Sequence, residues 1–149
     1  MRKMVDLPPV WLAVFVALVW VQARRLPFGP DGGALTDLLG GVLVGAGFLL
    51  MAMAVVAMRQ AATTVMPHQT PQALVTTGIF ARTRNPIYLG DVCVLVGLAL
   101  FWGAWSVLLL APLFAWVITD RFILDEEARL RDSFPDQADA YFLRVRRWI

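Results

Sequence analysis

The chain has 149 residues, 59% of them hydrophobic and 16% charged, with a formal charge of +2 and a mean hydropathy of +0.67. Soluble domains are usually about 45–50% apolar, so the composition excludes an ordinary soluble fold, and the length fits one domain, residues 1–149. The small charge sits in loops and the tail and implies no nucleic acid, while one cysteine and one histidine exclude a disulfide framework and a Cys- or His-rich metal site. Cys93 lies inside an apolar run and reads as a small buried hydrophobe. His68 reads as a loop residue.

A helix needs roughly 20 apolar residues to cross the hydrocarbon core. The chain opens Met1-Arg2-Lys3 and enters an apolar stretch, which reads as a retained first helix because further spans follow. The first span is expected at 7–23 and the second, the clearest, at 38–58. Gly41, Gly45 and Gly47 resemble a small-residue face that lets a neighbouring helix come close. The uncharged run from Val92 to Thr119 is too short for two spans and too long for one. Phe101-Trp102-Gly103-Ala104-Trp105 offers a turn flanked by interfacial tryptophans, so a hairpin is expected, with spans at 86–102 and 104–121. The last span runs through Asp120 and Arg121 into water, and Asp91 lies one turn inside the membrane surface. Residues 122–149 form the tail, which Pro135 divides into two short helices.

Positive charge sets the orientation. Arg2, Lys3, Arg59, Arg82, Arg84 and the basic tail fall on one side, leaving Arg24 and Arg25 on the other. The expectation is an all-α, multi-pass integral membrane protein of about four transmembrane helices in the cytoplasmic membrane of a bacterium. Both termini are cytosolic, and the C-terminal helices cap a cofactor pocket.

Two polar patches hold most of the groups fit for chemistry. In the first, Asn85-Pro86 is a helix start: Asn can cap free N–H groups, and Pro suits the first helical position. With Arg82 and Arg84 just before it, that positive helix end makes a place for a carboxylate or phosphate. Gly78 allows a tight turn, and Thr76 and Thr77 add hydroxyls. In the second patch, Asp125, Glu126 and Glu127 project about 100° apart in succession, so Glu126 and Glu127 are not expected to face one pocket. Asp125 can pair with Arg129, and Glu127 with Arg131, at i,i+4, which leaves Glu126 without a local partner. The tail is amphipathic and suits either a helix on an anionic membrane face or a lid folded back over a pocket.

The segments Leu74-Val75-Thr76-Thr77-Gly78-Ile79-Phe80, Arg84-Asn85-Pro86-Ile87-Tyr88-Leu89-Gly90, Glu126-Glu127-Ala128-Arg129-Leu130 and Arg144-Val145-Arg146-Arg147-Trp148 resemble, in order and spacing, the isoprenylcysteine carboxyl methyltransferase family. That group of membrane methyltransferases takes in phospholipid methyltransferase relatives. The resemblance covers the C-terminal half. It implies S-adenosylmethionine bound by Gln72, Ala73, Leu74, Val75, Gly78, Phe80, Asn85, Pro86, Ile87, Tyr88 and Glu126, with Arg84, Asn85, Tyr88 and Glu127 as candidate catalytic residues. The family's arginine one turn before the acid pair falls at Phe122, with Arg121 beside it, so these two are the candidate acceptor-binding residues. Asn85 stands where many members have His, and Phe80 where Tyr is common.

The reaction so implied is methyl transfer to a lipophilic or lipidated acceptor among membrane lipids, with no metal. Alignment and desolvation supply most of the rate. An amine acceptor would need a base, for which Glu127 and Asp91 are the candidates. Two other readings stand beside this one. Tyr88-Leu89-Gly90-Asp91 is similar to a turn of sterol-reductase-type NADPH enzymes, and a non-enzymatic membrane scaffold is the third.

Overall fold

A computed structural model describes residues 6–26, 32–63 and 72–149. Arg2, Lys3 and His68, which the sequence assigned to a cytosolic terminus and a loop, lie outside the described residues. The described chain is helical: α1 (Pro8–Arg25), α2 (Ala34–Gln60), a 3₁₀ turn (Gly78–Ala81), α3 (Pro86–Phe101), α4 (Val107–Ile118), a π-helical turn (Thr119–Ile123), α5 (Leu124–Ser133) and α6 (Pro135–Arg144). No strand occurs among the described residues.

The four expected spans fall on α1, α2, α3 and α4. Among the described residues, two helical runs are both long and apolar enough to cross a membrane: Ala34–Gln60, and Val107–Ser133, in which α4, the π turn and α5 are continuous. Expectation and structure agree that the last apolar helix continues through Asp120 and Arg121 without a break. α3 is shorter, 16 residues, or about 24 Å at 1.5 Å per residue.

The hairpin between α3 and α4 is made by Trp102–Ser106. Gly103, with φ +64°, supplies the left-handed residue this turn needs. Gln22 near the end of α1 accepts a hydrogen bond from the Ser106 N–H at 3.3 Å and so ties α1 to that turn. Pro135 sits at the start of α6 and separates it from α5, as expected.

α2 and α3 pack antiparallel along an interface of glycines spaced by seven residues. A Cβ on Gly40 would lie 2.6 Å from the Gly97 carbonyl, and one on Gly97 would lie 2.6 Å from the Gly40 carbonyl. Gly47 and Gly90 repeat the arrangement one heptad away, at 2.6 and 2.7 Å. Ala54, fully buried, continues the series on α2. Such backbone proximity adds dispersion contacts where lipid and protein are equally apolar. This corrects the expected face. Of Gly41, Gly45 and Gly47, only Gly47 meets a neighbour, and the other two face open space. The period of the contact is seven, so it selects Gly40 and Gly47 over the four-residue spacing of Gly41 and Gly45.

The opposite side of α3 faces the main core, shared with α1 and α4. Phe15 meets Phe114 edge-on at 5.2 Å, and Val19, Leu95, Ile118, Phe122 and Ile123 complete it. α2 is left with an apolar outer face that includes Leu38, Val42, Phe48 and Leu49, all exposed.

Replacing Gly90 with Ala should destabilise the fold by about 1–3 kcal/mol, because the new methyl overpacks against the Gly47 carbonyl. Gly41→Ala, with open space around it, should be neutral or stabilise by up to about 1 kcal/mol through helix propensity. Unfolding midpoints in detergent compare the two. Equal effects would contradict the interface.

Candidate functional site

The 3₁₀ turn begins at Gly78, whose φ of +61° only glycine adopts at little cost. It leads through Thr83 to Pro86, the first residue of α3. Asn85 occupies the capping position, but its side chain does not cap the helix. Instead its Nδ2 donates to the Arg147 carbonyl at 2.9 Å. The capping role read from the sequence is thus corrected. The nearby C-terminal carbonyl is a partner that local sequence does not reveal. Ile87 and Tyr88, in the first turn, have N–H groups with no carbonyl four residues back inside the helix.

The tail binds this segment at three further points. The Arg84 N–H donates to the Arg146 carbonyl at 3.1 Å, and the Thr83 hydroxyl donates to the Arg147 carbonyl at 3.3 Å. Thr83 Oγ1 also accepts from the Asn85 N–H at 3.2 Å, and Thr83 is 2% exposed. Tyr141 on α6 donates to the Phe80 carbonyl at 2.7 Å. Burial pushes the Tyr141 phenol up to about 12. These contacts fold the tail back on the chain.

Glu127 is 5% exposed and joins three elements. Arg84 Nη1 lies 3.1 Å from Oε1, while Arg147 donates from Nε to Oε1 at 2.9 Å and from Nη2 to Oε2 at 2.8 Å. Desolvation holds the Arg84 guanidinium below its ordinary value, against the opposing pull of Glu127. The hydrogen bond to Glu127 raises Arg147. The expected Glu127–Arg131 pair is therefore replaced, and Arg131 pairs with Asp139 at 3.0 Å. A buried bidentate contact outweighs an exposed i,i+4 pair worth about 0.3–0.5 kcal/mol.

Glu126 also has a partner, Tyr88, whose hydroxyl donates to Oε1 at 2.6 Å. The two adjacent glutamates were not expected to serve one place. They reach it by straddling the start of α3, Glu127 on Arg84 and Glu126 on Tyr88, residues one turn apart. The structure thus brings together Arg84, Asn85, Tyr88, Glu126 and Glu127, with Pro86 buried between them.

The rest of the candidate set is placed differently. Gln72 and Ala73 donate their backbone N–H groups to Thr63 Oγ1, at 3.1 and 3.3 Å, which ties that loop to the end of α2. Leu74, Val75, Phe80 and Ile87 are half-buried. Arg121 faces the start of α1: Nη1 meets both Asp6 oxygens, at 3.0 and 2.9 Å, and the guanidinium stacks on Trp11. Phe122 is 1% exposed and belongs to the core. Arg121 is therefore engaged by a carboxylate of the chain itself, and Phe122 supports the site as core packing.

A cavity of about 440 Å³ opens between α5, α6 and the loop, beside Arg84, Glu127, Arg131, Asp139 and Phe142. Arg84 and Arg131 both stack on Phe142, at 4.5 and 4.8 Å from the ring centre. Sequence reasoning missed Thr83 and Asp6, and it gave Arg147 no contact with Glu127. Only the arginine-tryptophan ending of the chain hinted at Arg147. No group of acids, histidines or cysteines fit to hold a metal ion occurs among the described residues.

A family model described as phospholipid methyltransferase matches residues 35–137, more than half of the chain. The match takes in α2 to the start of α6 and leaves out α1 and the C-terminal strap. No curated relative and no solved structure matches.

Tyr141 gives a pH-dependent test. Its folded value lies above the ordinary 10, so its contribution is fully present below pH 10 and is lost as pH rises towards about 12. Tyr141→Phe should lower stability near neutrality by about 1 kcal/mol, through loss of the bond to Phe80, and should flatten the fall above pH 10. Denaturant titrations at pH 7 to 11 measure both. An unchanged alkaline slope would refute the assigned burial.

Proposed function

Because the chain belongs to the phospholipid methyltransferase family, whose members are membrane methyltransferases of the isoprenylcysteine carboxyl type, we propose that it transfers a methyl group from S-adenosylmethionine to a lipophilic acceptor held in the bilayer. The observation that carries the proposal is the 2.6 Å contact between Tyr88 at the start of α3 and Glu126 on α5. It joins a positive helix end to a carboxylate, the pair of chemistries that a zwitterionic amino-acid cofactor needs.

In this reading the first-turn N–H groups of Ile87 and Tyr88 hold the methionine carboxylate. Glu126, kept in place by Tyr88, accepts from the amino group or ribose hydroxyls. The half-buried Leu74, Val75, Phe80 and Ile87 contact the adenosine. The cofactor supplies an electrophilic methyl on a neutral leaving group. The protein's part is to orient it and exclude water. Arg84 and Glu127 act behind this set by fixing the loop and the tail. The proposal includes four membrane-crossing helices in a cytoplasmic membrane, both termini on the cytosolic side, and lateral entry of the acceptor. An isoprenylated cysteine carboxylate, the acceptor that the resemblance suggests, would need a guanidinium; Arg121 already holds Asp6.

Purified protein should bind S-adenosylmethionine with a Kd in the micromolar range or tighter by calorimetry, and Glu126→Ala should weaken binding at least about tenfold, or about 1.4 kcal/mol. Absence of binding in several detergents and in lipid vesicles would end the proposal.

A further inference from the structure

The cavity between α5, α6 and the loop carries positive charge that the fold itself does not balance. Its wall holds three guanidiniums, those of Arg84, Arg131 and Arg147, against two carboxylates, those of Glu127 and Asp139. Both oxygens of Glu127 are engaged by Arg84 and Arg147. Arg131 uses only its Nε on Asp139, in a pair whose side chains are 51% and 67% exposed. Such an exposed pair contributes little and exchanges readily. Arg84 Nε is buried and has no hydrogen-bond partner. Native structures seldom leave a buried donor unmet unless an ion or a water serves it.

Phe142 orients the two guanidiniums that are not bidentate on a carboxylate. Arg84 and Arg131 lie 4.5 and 4.8 Å from its ring centre, so two like charges are held against one ring. Desolvation holds Arg84 below its ordinary value; Glu127 opposes this, while the charges of Arg147 and Arg131 add to it. An anion in the cavity relieves the unmet donor, the crowded charges and the desolvated cation together. Guanidinium edges match the spacing of phosphate oxygens, to which they donate in pairs. At about 440 Å³ the cavity has the size of a small-molecule site and exceeds what a bare ion fills.

We propose that this cavity binds a phosphate ester through Arg84 and Arg131, with Arg147 held behind them by Glu127 and Asp139 as the carboxylate that the phosphate displaces from Arg131. The site is distinct from the one assigned to the cofactor, since no residue that lines it contacts S-adenosylmethionine in the reading above. The neighbouring glutamates divide the two: Glu126 turns to Tyr88, and Glu127 turns to the cavity. The inference therefore stands independently of methyl transfer. Two sources offer a phosphate ester here. One is the headgroup of an anionic lipid, for which Leu143 on the cavity wall, 90% exposed, gives an apolar rim. The other is a soluble phosphate ester.

The test uses the full chain in detergent as wild type, Arg131→Gln and Asp139→Asn. In one arm glycerol 3-phosphate is titrated by calorimetry. In the other, phosphatidic acid and diacylglycerol compete for the protein, and native mass spectrometry reads which is retained. Wild type should bind at least one phosphate probe, and any lipid retained should be phosphatidic acid over diacylglycerol by at least about tenfold. Arg131→Gln should weaken binding at least about fivefold through loss of a charged donor. Asp139→Asn should tighten it at least about twofold by removing the competing carboxylate, an effect that a merely structural Asp139 would not produce. Retention of phosphatidic acid alone supports a membrane source, and binding of glycerol 3-phosphate supports the headgroup as sufficient. Binding of neither probe, equal retention of diacylglycerol, or either variant binding as wild type does would overturn the assignment. Saturating S-adenosylhomocysteine should leave phosphate binding unchanged; competition between the two would give the cavity to the cofactor and overturn it as well.

Discussion

One buried carboxylate, Glu127, holds the candidate site together. It lies between Arg84, at the entrance to α3, and Arg147, three residues beyond the end of α6 in the C-terminal strap. Taking these charges out of water is costly, and the cost is offset only where geometry is good and the remaining donors are used. Here Arg147 is bidentate and Arg84 stacks on Phe142, although Arg84 Nε is buried without a hydrogen-bond partner. The carbonyls of Arg146 and Arg147 meanwhile engage Arg84, Thr83 and Asn85. Loop, helix start and tail are thereby fixed as one unit, so that Tyr88 and Glu126 meet at a defined distance.

That unit needs α3 to be held firmly, and the glycine interface with α2 does this. At Gly40–Gly97 and Gly47–Gly90 the backbones approach so closely that no side chain fits between them. The remaining sides of α3 pack into the core with α1 and α4, a single buried cluster that includes Tyr88, Phe122 and Ile123. The π turn at Thr119–Ile123 lies directly before the two glutamates, and irregular turns of this kind are common at functional positions. In this protein it carries the chain from the apolar α4 to the polar α5 without interrupting the helix.

The family match and the ion-pair hub overlap only in part. The matched residues include Arg84, Tyr88, Glu126 and Glu127 but stop before Arg147. The strap is thus a feature of this chain's structure that the family model does not reach. Asp6 and Arg121 make a comparable link on the α1 side, again with one partner outside the matched residues. The two ends of the described chain therefore each contribute one ion-pair partner to the matched core.

Local chemistry determined much of this protein from its sequence. Apolar runs fixed where α1 to α4 lie, Pro86 fixed the start of α3, Gly103 the hairpin, and Pro135 the break between α5 and α6, because each depends on neighbours within a few residues. Arg84, Asn85, Tyr88, Glu126 and Glu127 were recognisable as a set through their order and spacing. Their partners were not. Asn85 next to Pro86 reads as a cap until a carbonyl 62 positions away takes its amide. Glu127 reads as a mate for Arg131 until Arg84 and Arg147 arrive, and Gly41 and Gly45 read as contacts until the seven-residue period favours Gly40 and Gly47. Each of these choices is a competition between a near partner and a distant one. Burial and bidentate geometry decide it, and they exist only once the chain has folded.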